Sequence, residues 1–268
     1  MPIMGADHHL LNSDWADAIP AALARGRSAA VARQLASAHW LLRRKSDGRY
    51  LATANRAGDI RALQPLSSAQ RHALRRLLRE QPHRRTLPLA GLRHHLDALG
   101  IPADYGTMHQ LPPVAEPARL SLAGADRYQR PLWLLPSVAT AWQAMRNAAQ
   151  AQGVMLDAIS GFRSHDYQLG IFRRKLARGL AVAEILAVNA APGFSEHHGG
   201  FALDIGTPGE PPAETGFEHT AAFAWLCANA DTFGFAMSYP RDNRHGIVYE
   251  PWHWAHRSDE TRRTNTPS

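Results

Sequence analysis

Two separated segments of the chain carry the residue types of a catalytic metal site. They are SEHHGGFALDIG (residues 195–206) and YEPWHWAH (residues 249–256). A catalytic zinc site needs three protein ligands, an open position for water and a nearby group that accepts the proton of that water. The candidate ligands are His197, Asp204 and His253. Glu250, three residues before the second imidazole, is the candidate base, so the two segments together predict a hydrolase.

The pattern within the segments does not by itself fix the ligands. Alternation along FALDI turns Asp204 away from the apolar side chains of the predicted strand, toward the side where the small Ala202 leaves room. His198 stands next to His197, however, and His256 competes with His253. A histidine and an aspartate seven residues apart are more often structural than metal-binding when they occur alone. Spacing therefore leaves both imidazole ligands open.

A third segment, SGFRSHDYQ (residues 160–168), adds a positively charged side chain, that of Arg163. Arg163 lies between a glycine-containing turn and a predicted helix start. From there its guanidinium can face a carboxylate or a developing oxyanion. Taken alone, the same arginine would more often form a surface salt bridge.

The three segments, in this order, resemble the signature blocks of the zinc D-alanyl-D-alanine carboxypeptidases, the VanY-like peptidases that include L,D-carboxypeptidase relatives. The pattern S-x-H-x-x-G-x-A-x-D falls on residues 195–204. Two lesser matches, DRYQRPLWL and FGFAMSYP, extend the resemblance over residues 120–256. Residues 1–115 carry no resemblance of this kind.

The resemblance implies a role for each matched residue. One Zn²⁺ per chain would be held by His197, Asp204 and His253, which leaves His198 and His256 outside the ligand set. Glu250 would act first as general base and then as general acid, and Arg163 would lie close to the scissile carbonyl. The implied substrate-binding residues are Ser160, Gln168, Ser195 and Tyr239.

The implied activity is removal of the terminal D-alanine from a peptidoglycan stem peptide, most readily by cleavage of a D-Ala-D-Ala bond. Within the enzyme class, the alternatives are an L,D-carboxypeptidase and an endopeptidase. The alternative of another class is a noncatalytic protein that binds the cell wall or a polyanion. The expected partner is the stem peptide or a soluble fragment of it, with no specific nucleic acid. The sequence says nothing about the oligomeric state.

Composition and charge limit the classes of protein to which this chain can belong. The chain has 268 residues, 45% of them hydrophobic, and a net charge of +7 that favours polyanions. The positive charge concentrates in residues 71–85, where a solvated helix face is favoured over a dedicated polyanion site. No apolar stretch reaches the ~18 residues of a membrane span. The single Cys227 excludes an internal disulfide framework and is predicted to be a buried, inert thiol.

Location in the cell is left open. The resemblance implies the cell envelope or periplasm. The first residues, however, lack the basic start and continuous apolar core of a signal peptide, so a cytoplasmic location is also open.

The predicted fold is α+β, with a small, mostly antiparallel sheet flanked by helices and a zinc site in a cleft on the sheet. We predict three regions: a mainly helical one of unknown function (1–115), the catalytic domain (116–258) and a polar tail (259–268). The proline-rich segment LPPVAEPARLSL serves as the boundary between the first two.

Periodicity and capping signals give the expected elements. In the N-terminal region, 22–42 and 89–99 are predicted to be helical, 49–63 to form a short hairpin, and 67–70 to form a capping box. In the catalytic region, Ser137 is predicted to cap a helix. The other expected elements are strands at 201–205 and 246–249 and helices at 165–178 and 220–232.

Overall fold

The structure, a computed structural model, describes residues 8–24, 28–79 and 85–257. These residues fall into two compact units. Unit 1 comes from residues 1–87 and 118–122, and unit 2 from residues 88–117 and 123–268. Residues 88–115, which we assigned to the N-terminal region, thus pack with the predicted catalytic residues. The functional division at residues 115/116 stays a prediction.

Unit 1 is built mainly from strands. Its elements are β1 (His9–Asn12), β2 (Ala16–Pro20), a 3-10 turn (Ala21–Leu23), α1 (Ala29–Ala36), β3 (Trp40–Arg44), β4 (Tyr50–Ala54), β5 (Ile60–Ala62) and α2 (Ser68–Arg79). The strands are antiparallel in the order β5-β4-β3-β2-β1, and residues 119–121 of β6 (Arg119–Ala125) pair with β1. Leu42, Leu51 and Leu74 pack in its core.

The prediction of a mainly helical N-terminal region is therefore wrong. In the alanine-rich stretch 22–42, helix α1 covers only Ala29–Ala36, and β3 begins at Trp40. Strand β3 pairs on one side with β2 and on the other with β4, and its Leu41 and Leu42 are buried. Burial in a central strand outweighs the helix propensity of the neighbouring alanines, which is worth less than about 1 kcal/mol per residue.

Other predictions for this region are confirmed. The hairpin at 49–63 is the antiparallel pair β4–β5. The capping box precedes α2: the Gln70 N–H donates to Ser67 Oγ at 3.1 Å, and the Ser67 N–H donates to Gln70 Oε1 at 2.9 Å. Arg71, Arg75 and Arg79 of α2 are exposed while Leu74 is buried. Both a solvated helix face and a polyanion site would show this pattern, so the choice between them stays a prediction, and residues 80–84 of the basic stretch lie outside the described residues.

Unit 2 contains a four-stranded antiparallel sheet with helices. Its helices are α3 (Leu92–Ala98), α4 (Tyr105–Met108), α5 (Pro136–Ala151), α6 (His165–Leu176), α7 (Val182–Ala187) and α8 (Ala221–Asn229). Its further strands are β7 (Pro131–Leu134), β8 (Asp157–Ser160), β9 (Ala202–Gly206), β10 (Phe235–Met237) and β11 (His253–His256). Short 3-10 helices cover Glu196–Gly199, Thr215–His219 and Ala230–Phe233. The sheet order is β10-β11-β9-β8, while β7 neighbours β6. The predicted α+β class with a small antiparallel sheet is confirmed.

Two apolar clusters stabilise unit 2. In the first, Trp142 and Met145 of α5 pack with Leu203 and Ile205 of β9. In the second, residues from the segment 88–117 pack with α6, α7 and the residues that follow them. The members of this second cluster include Leu96, Leu99, Ile101, Tyr105, Leu111, Leu169, Phe172, Ile185, Phe194, Tyr239 and Ile247.

Three local predictions fail in unit 2. Helix α5 begins at Pro136, so Ser137 lies in its first turn and is not the cap, since proline suits the first helical position. Residues 246–249 form a loop, and the strand that follows begins at His253. Cys227 is exposed, because it occupies the outer face of α8, whose Trp225 and Leu226 are buried. Helix α8 itself confirms the prediction at 220–232.

The predicted polar tail at 259–268 lies outside the described residues. Within them, every helix is too short or too polar to cross a membrane.

Candidate metal centre and active site

The three predicted ligands meet at the middle of the sheet of unit 2. Asp204 on β9 lies directly opposite His253 on β11 in the antiparallel register. His197 reaches them from the 3-10 helix before β9, where Gly200 turns the chain with a φ of +67°, a conformation that favours glycine. One ligand atom from each side chain lies within 4.8 Å of the others, and all three side chains are buried.

Hydrogen bonds fix which nitrogen of each imidazole faces the cluster. His197 Nδ1 lies 2.7 Å from the carbonyl oxygen of Gly161, to which it donates, and Nε2 lies 3.2 Å from Asp204 Oδ1. In His253 the roles reverse: Nε2 lies 2.8 Å from Glu196 Oε2, and Nδ1 lies 3.2 Å from Asp204 Oδ1. An imidazole that donates through one nitrogen presents the lone pair of the other, as metal ligands do.

The competing histidines are placed differently. His198 uses both nitrogens on the backbone, since Nε2 accepts from the Gly193 N–H at 3.0 Å and Nδ1 lies 2.7 Å from the Arg163 carbonyl oxygen. His256 is three residues beyond His253 on β11 and therefore points to the opposite face, against the ring of Phe235. Neither belongs to the three-residue cluster.

The positively charged guanidinium of Arg163 lies against the candidate ligand atoms. One guanidinium nitrogen contacts Asp204 Oδ2 and lies 2.9 Å from His197 Nε2. Burial raises the pKa of Asp204, but His197 and Arg163 outweigh burial and hold it well below its usual range. Burial and the adjacent Arg163 lower the pKa of His197 to about 4.

His253 lies between two carboxylates that favour its positively charged form. Burial lowers its pKa, but hydrogen bonds to the carboxylates of Asp204 and Glu196 outweigh burial and raise it to about 10. The proton on the His253 imidazole and the guanidinium of Arg163 thus occupy lone pairs of the three side chains that a metal cation could take. Two imidazole nitrogens and a carboxylate oxygen, buried and with the outer nitrogens already bound, fit a zinc ion.

Glu250 lies beside this cluster without joining it. Its Oε2 is 4.0 Å from His253 Nδ1. Burial raises the pKa of Glu250 to about 7, with the charge of Asp204 adding to the effect and His253 opposing it. A carboxyl group that titrates near neutral pH can both accept and return a proton during one reaction.

A cavity of about 290 Å³ opens over the cluster. Three of the four predicted substrate-binding residues line it with the ligands: Gln168, Ser195 and Tyr239. Arg163, predicted to lie close to the scissile carbonyl, lines it as well. Gln168 Nε2 donates to the Ala190 carbonyl at 3.0 Å, while its buried Oε1 has no hydrogen-bond partner among the described residues. Ser160, the fourth predicted substrate-binding residue, is not among the residues that line the cavity. Its Oγ accepts from Arg163 Nε at 2.9 Å.

Known proteins match the part of the chain that contains these residues. The model of the family described as "VanY: D-alanyl-D-alanine carboxypeptidase" matches residues 132–259. The bifunctional D-Ala-D-Ala dipeptidase and D-Ala-D-Ala carboxypeptidase VanXYC of Enterococcus gallinarum is 30% identical over 154 residues, which cover 54% of this chain and 77% of that protein. The chain belongs to the VanY family of D-alanyl-D-alanine carboxypeptidases.

Further VanY relatives match over part of their length. The putative carboxypeptidase YodJ of Bacillus subtilis (strain 168) is 36% identical over 131 residues, or 45% of each chain. The chain thus spans about half the length of this curated relative. A solved structure of a vancomycin resistance D,D-pentapeptidase VanY in complex with Zn(II) is 30% identical, with a TM-score of 0.41, over 50% of this chain and 80% of that one.

Sequence reasoning missed Glu196, the carboxylate that accepts the hydrogen bond of His253. It lies inside the S-E-H-H motif, next to a predicted ligand, so its position was visible. Its partner, however, is 57 residues away, and only the fold brings the two together.

Proposed function

We propose that the chain is a zinc-dependent carboxypeptidase that removes the terminal D-alanine from peptidoglycan stem peptides. The observation that carries the proposal is the convergence of His197, Asp204 and His253 at one cavity, with Glu250 beside them. Membership of the VanY family supports the D-Ala-D-Ala bond as the bond cleaved. One zinc ion per chain, held by these three side chains, would explain why two imidazoles and a carboxylate converge at one point.

A bound zinc ion would supply a Lewis acid that polarises the scissile carbonyl and acidifies water. Glu250 accepts a proton from the attacking water and passes it to the amine that leaves. One water is consumed, the C–N bond breaks, and D-alanine departs with its free carboxylate. The position of Glu250 beside the ligands, with Oε2 4.0 Å from His253 Nδ1, suits both transfers.

Arg163 donates hydrogen bonds to the oxyanion that develops on the scissile carbonyl. A zinc ion held by His197, Asp204 and His253 would compete with the guanidinium of Arg163 for its present contacts on His197 and Asp204. The N–H groups of Arg163 would then be free to donate to a substrate oxygen. Ser160 holds Nε of Arg163 and thereby orients the guanidinium. Donors aimed at an oxyanion contribute roughly 3 kcal/mol or more each to the transition state in comparable sites.

The remaining lining residues bind the peptide. Gln168 has an unoccupied carbonyl oxygen in the cavity wall that can accept from a substrate N–H. Ser195 and Tyr239 are the groups proposed for the terminal carboxylate. Tyr239 also packs on His253, with ring centroids 4.8 Å apart, so it fixes that imidazole as well as the substrate.

The first prediction tests the base. Glu250→Ala should keep one zinc per chain while kcat on a stem pentapeptide falls at least ~100-fold, because no other carboxylate of the described cavity can take its place. Metal analysis and a D-alanine release assay measure the two quantities. Glu214 is exposed and follows the cavity-lining Ala213 in sequence, so Glu214→Ala is the matched control and should retain normal activity.

Near-normal turnover by Glu250→Ala would contradict this assignment. Product mass from pentapeptide and tetrapeptide separates the proposed D,D-carboxypeptidase from an L,D-carboxypeptidase or an endopeptidase. A noncatalytic polymer-binding protein would instead release nothing from either peptide and would bind polymer equally after His253→Ala.

A further inference from the structure

The loop between β10 and β11 carries one residue of the proposed active site near each end. Tyr239 lies near its start and Glu250 near its end. The Glu250 N–H donates to the Tyr239 carbonyl oxygen at 3.0 Å, so residues 239–250 form a closed loop. We call this segment the 239–250 loop.

Internal hydrogen bonds make the 239–250 loop a braced unit. The Asn243 side chain donates to the carbonyl oxygens of Pro240 at 3.0 Å and Ile247 at 2.7 Å. Its Oδ1 accepts from the His245 N–H at 3.0 Å. The Asn243 side chain thus joins the tip of the loop at His245 to both of its sides, at Pro240 and Ile247. A displacement of the tip would therefore also displace the two ends of the loop.

The tip is held by a reciprocal pair of histidines. His109 Nδ1 lies 2.9 Å from the carbonyl oxygen of His245, and His245 Nδ1 lies 2.9 Å from the carbonyl oxygen of His109. A carbonyl can only accept, so both Nδ1 atoms carry a proton. A Cβ on Gly246, whose φ is +67°, would approach His109 Nδ1 to 3.1 Å, which explains a glycine here.

Aromatic packing continues from this pair on both sides. The ring of Tyr105 lies 4.4 Å from that of His109, and the ring of Tyr239 lies 6.0 Å from that of His245. Tyr105 and Tyr239 belong to the same apolar cluster. His109 therefore connects the segment 88–117, outside the family match at 132–259, with the loop that bears Glu250.

We propose that the His109–His245 pair is a clamp that positions Glu250 and Tyr239, and that His109 is a positioning residue contributed from outside the matched family region. Neither histidine lines the cavity, so both act through the 239–250 loop. The inference rests on the proposed peptidase function for its kinetic consequence. Its structural consequence, an ordered loop, can be measured without activity.

The test compares variants of the full-length, zinc-loaded protein. In His109→Ala, amide hydrogen exchange across 240–250 should accelerate, and kcat should fall about 10- to 100-fold, more than KM changes, because the base is misplaced. Zinc stoichiometry should not change. His109→Asn should restore slow exchange and most of kcat, since its side-chain amide can donate in place of Nδ1. His94→Ala, an exposed histidine of the same segment, is the control and should match the wild type.

His245→Ala provides a second variant if His109→Ala does not fold, and it should accelerate the same exchange. Unchanged exchange in the 239–250 loop of either folded variant would overturn the clamp. Accelerated exchange with a normal kcat would overturn the positioning role. A wild type inactive on all stem peptides would refute the proposed function instead, while the exchange data would still decide on the clamp.

Discussion

His253 is held between two carboxylates, Asp204 in the cluster and Glu196 on the outer nitrogen. The outer hydrogen bond orients the ring so that Nδ1 faces the other ligands. Carboxylates in this position increase the basicity of a metal-binding imidazole and hold its rotamer. Glu196 is thus a candidate determinant of metal affinity, although it binds no metal itself.

We expect Glu196→Ala to weaken zinc binding about 10- to 100-fold, the usual cost of losing such a partner. Competition with a chromophoric chelator measures the affinity. Glu214→Ala, an exposed glutamate, should bind zinc like the wild type. Wild-type affinity in the Glu196 variant would show that the hydrogen bond from His253 to Glu196 does not contribute to zinc binding.

At the residue scale the sequence predicted the composition of the cluster well, because metal chemistry restricts ligands to a few residue types. It could not tell His197 from His198 by spacing. The distinction depends on the backbone atoms of Gly193 and Arg163, which occupy both nitrogens of His198.

Helix α6 is the element that joins the arginine to the substrate pocket. Arg163 and Ser164 precede it, and Gln168 lies on its buried face. Two acceptors hold its first turn: Ser164 Oγ accepts from the Tyr167 N–H at 3.1 Å, and Glu116 Oε1 accepts from the His165 N–H at 2.8 Å. The start of this helix is therefore fixed more firmly than a single cap would fix it.

Ser164→Ala should cost about 1 kcal/mol of unfolding free energy, as loss of an N-cap usually does. Because the cap lies next to Arg163, KM for the stem peptide should also rise, roughly two- to five-fold. Urea denaturation and steady-state kinetics measure the two effects. Thr220→Ala removes the comparable cap of α8, far along the chain from these residues, and should lower stability without changing KM.

Elements with a local signal were predictable. The capping box, helix α6 and strand β9 all depend on neighbours in sequence. The predicted strand at 246–249 failed because that segment closes a loop through Asn243 and His109, partners that no local pattern reveals.

At the scale of the molecule, residues 88–117 belong with unit 2. Five buried side chains from this segment enter the second apolar cluster: Leu96, Leu99, Ile101, Tyr105 and Leu111. Each contributes about 1.5–3 kcal/mol by burial. Their sum is comparable with the whole stability of a domain, which is about 5–15 kcal/mol.

A fragment that starts at residue 116 should therefore not fold, whereas one that starts at residue 88 should show a cooperative thermal transition. Circular dichroism during heating distinguishes the two. A cooperative transition in the shorter fragment would show that the cluster is dispensable and that the proline-rich segment is the true boundary.

By itself the sequence determined the residue types of the site, their order along the chain and the family, because each is a property of short motifs. The tertiary structure decided which imidazole nitrogen faces the cluster, that Glu196 supports His253, and that His109 reaches the 239–250 loop. It also decided that the N-terminal unit is a sheet. These outcomes depend on packing between residues distant in sequence, whose burial and hydrogen bonds outweigh the local preferences that a sequence displays.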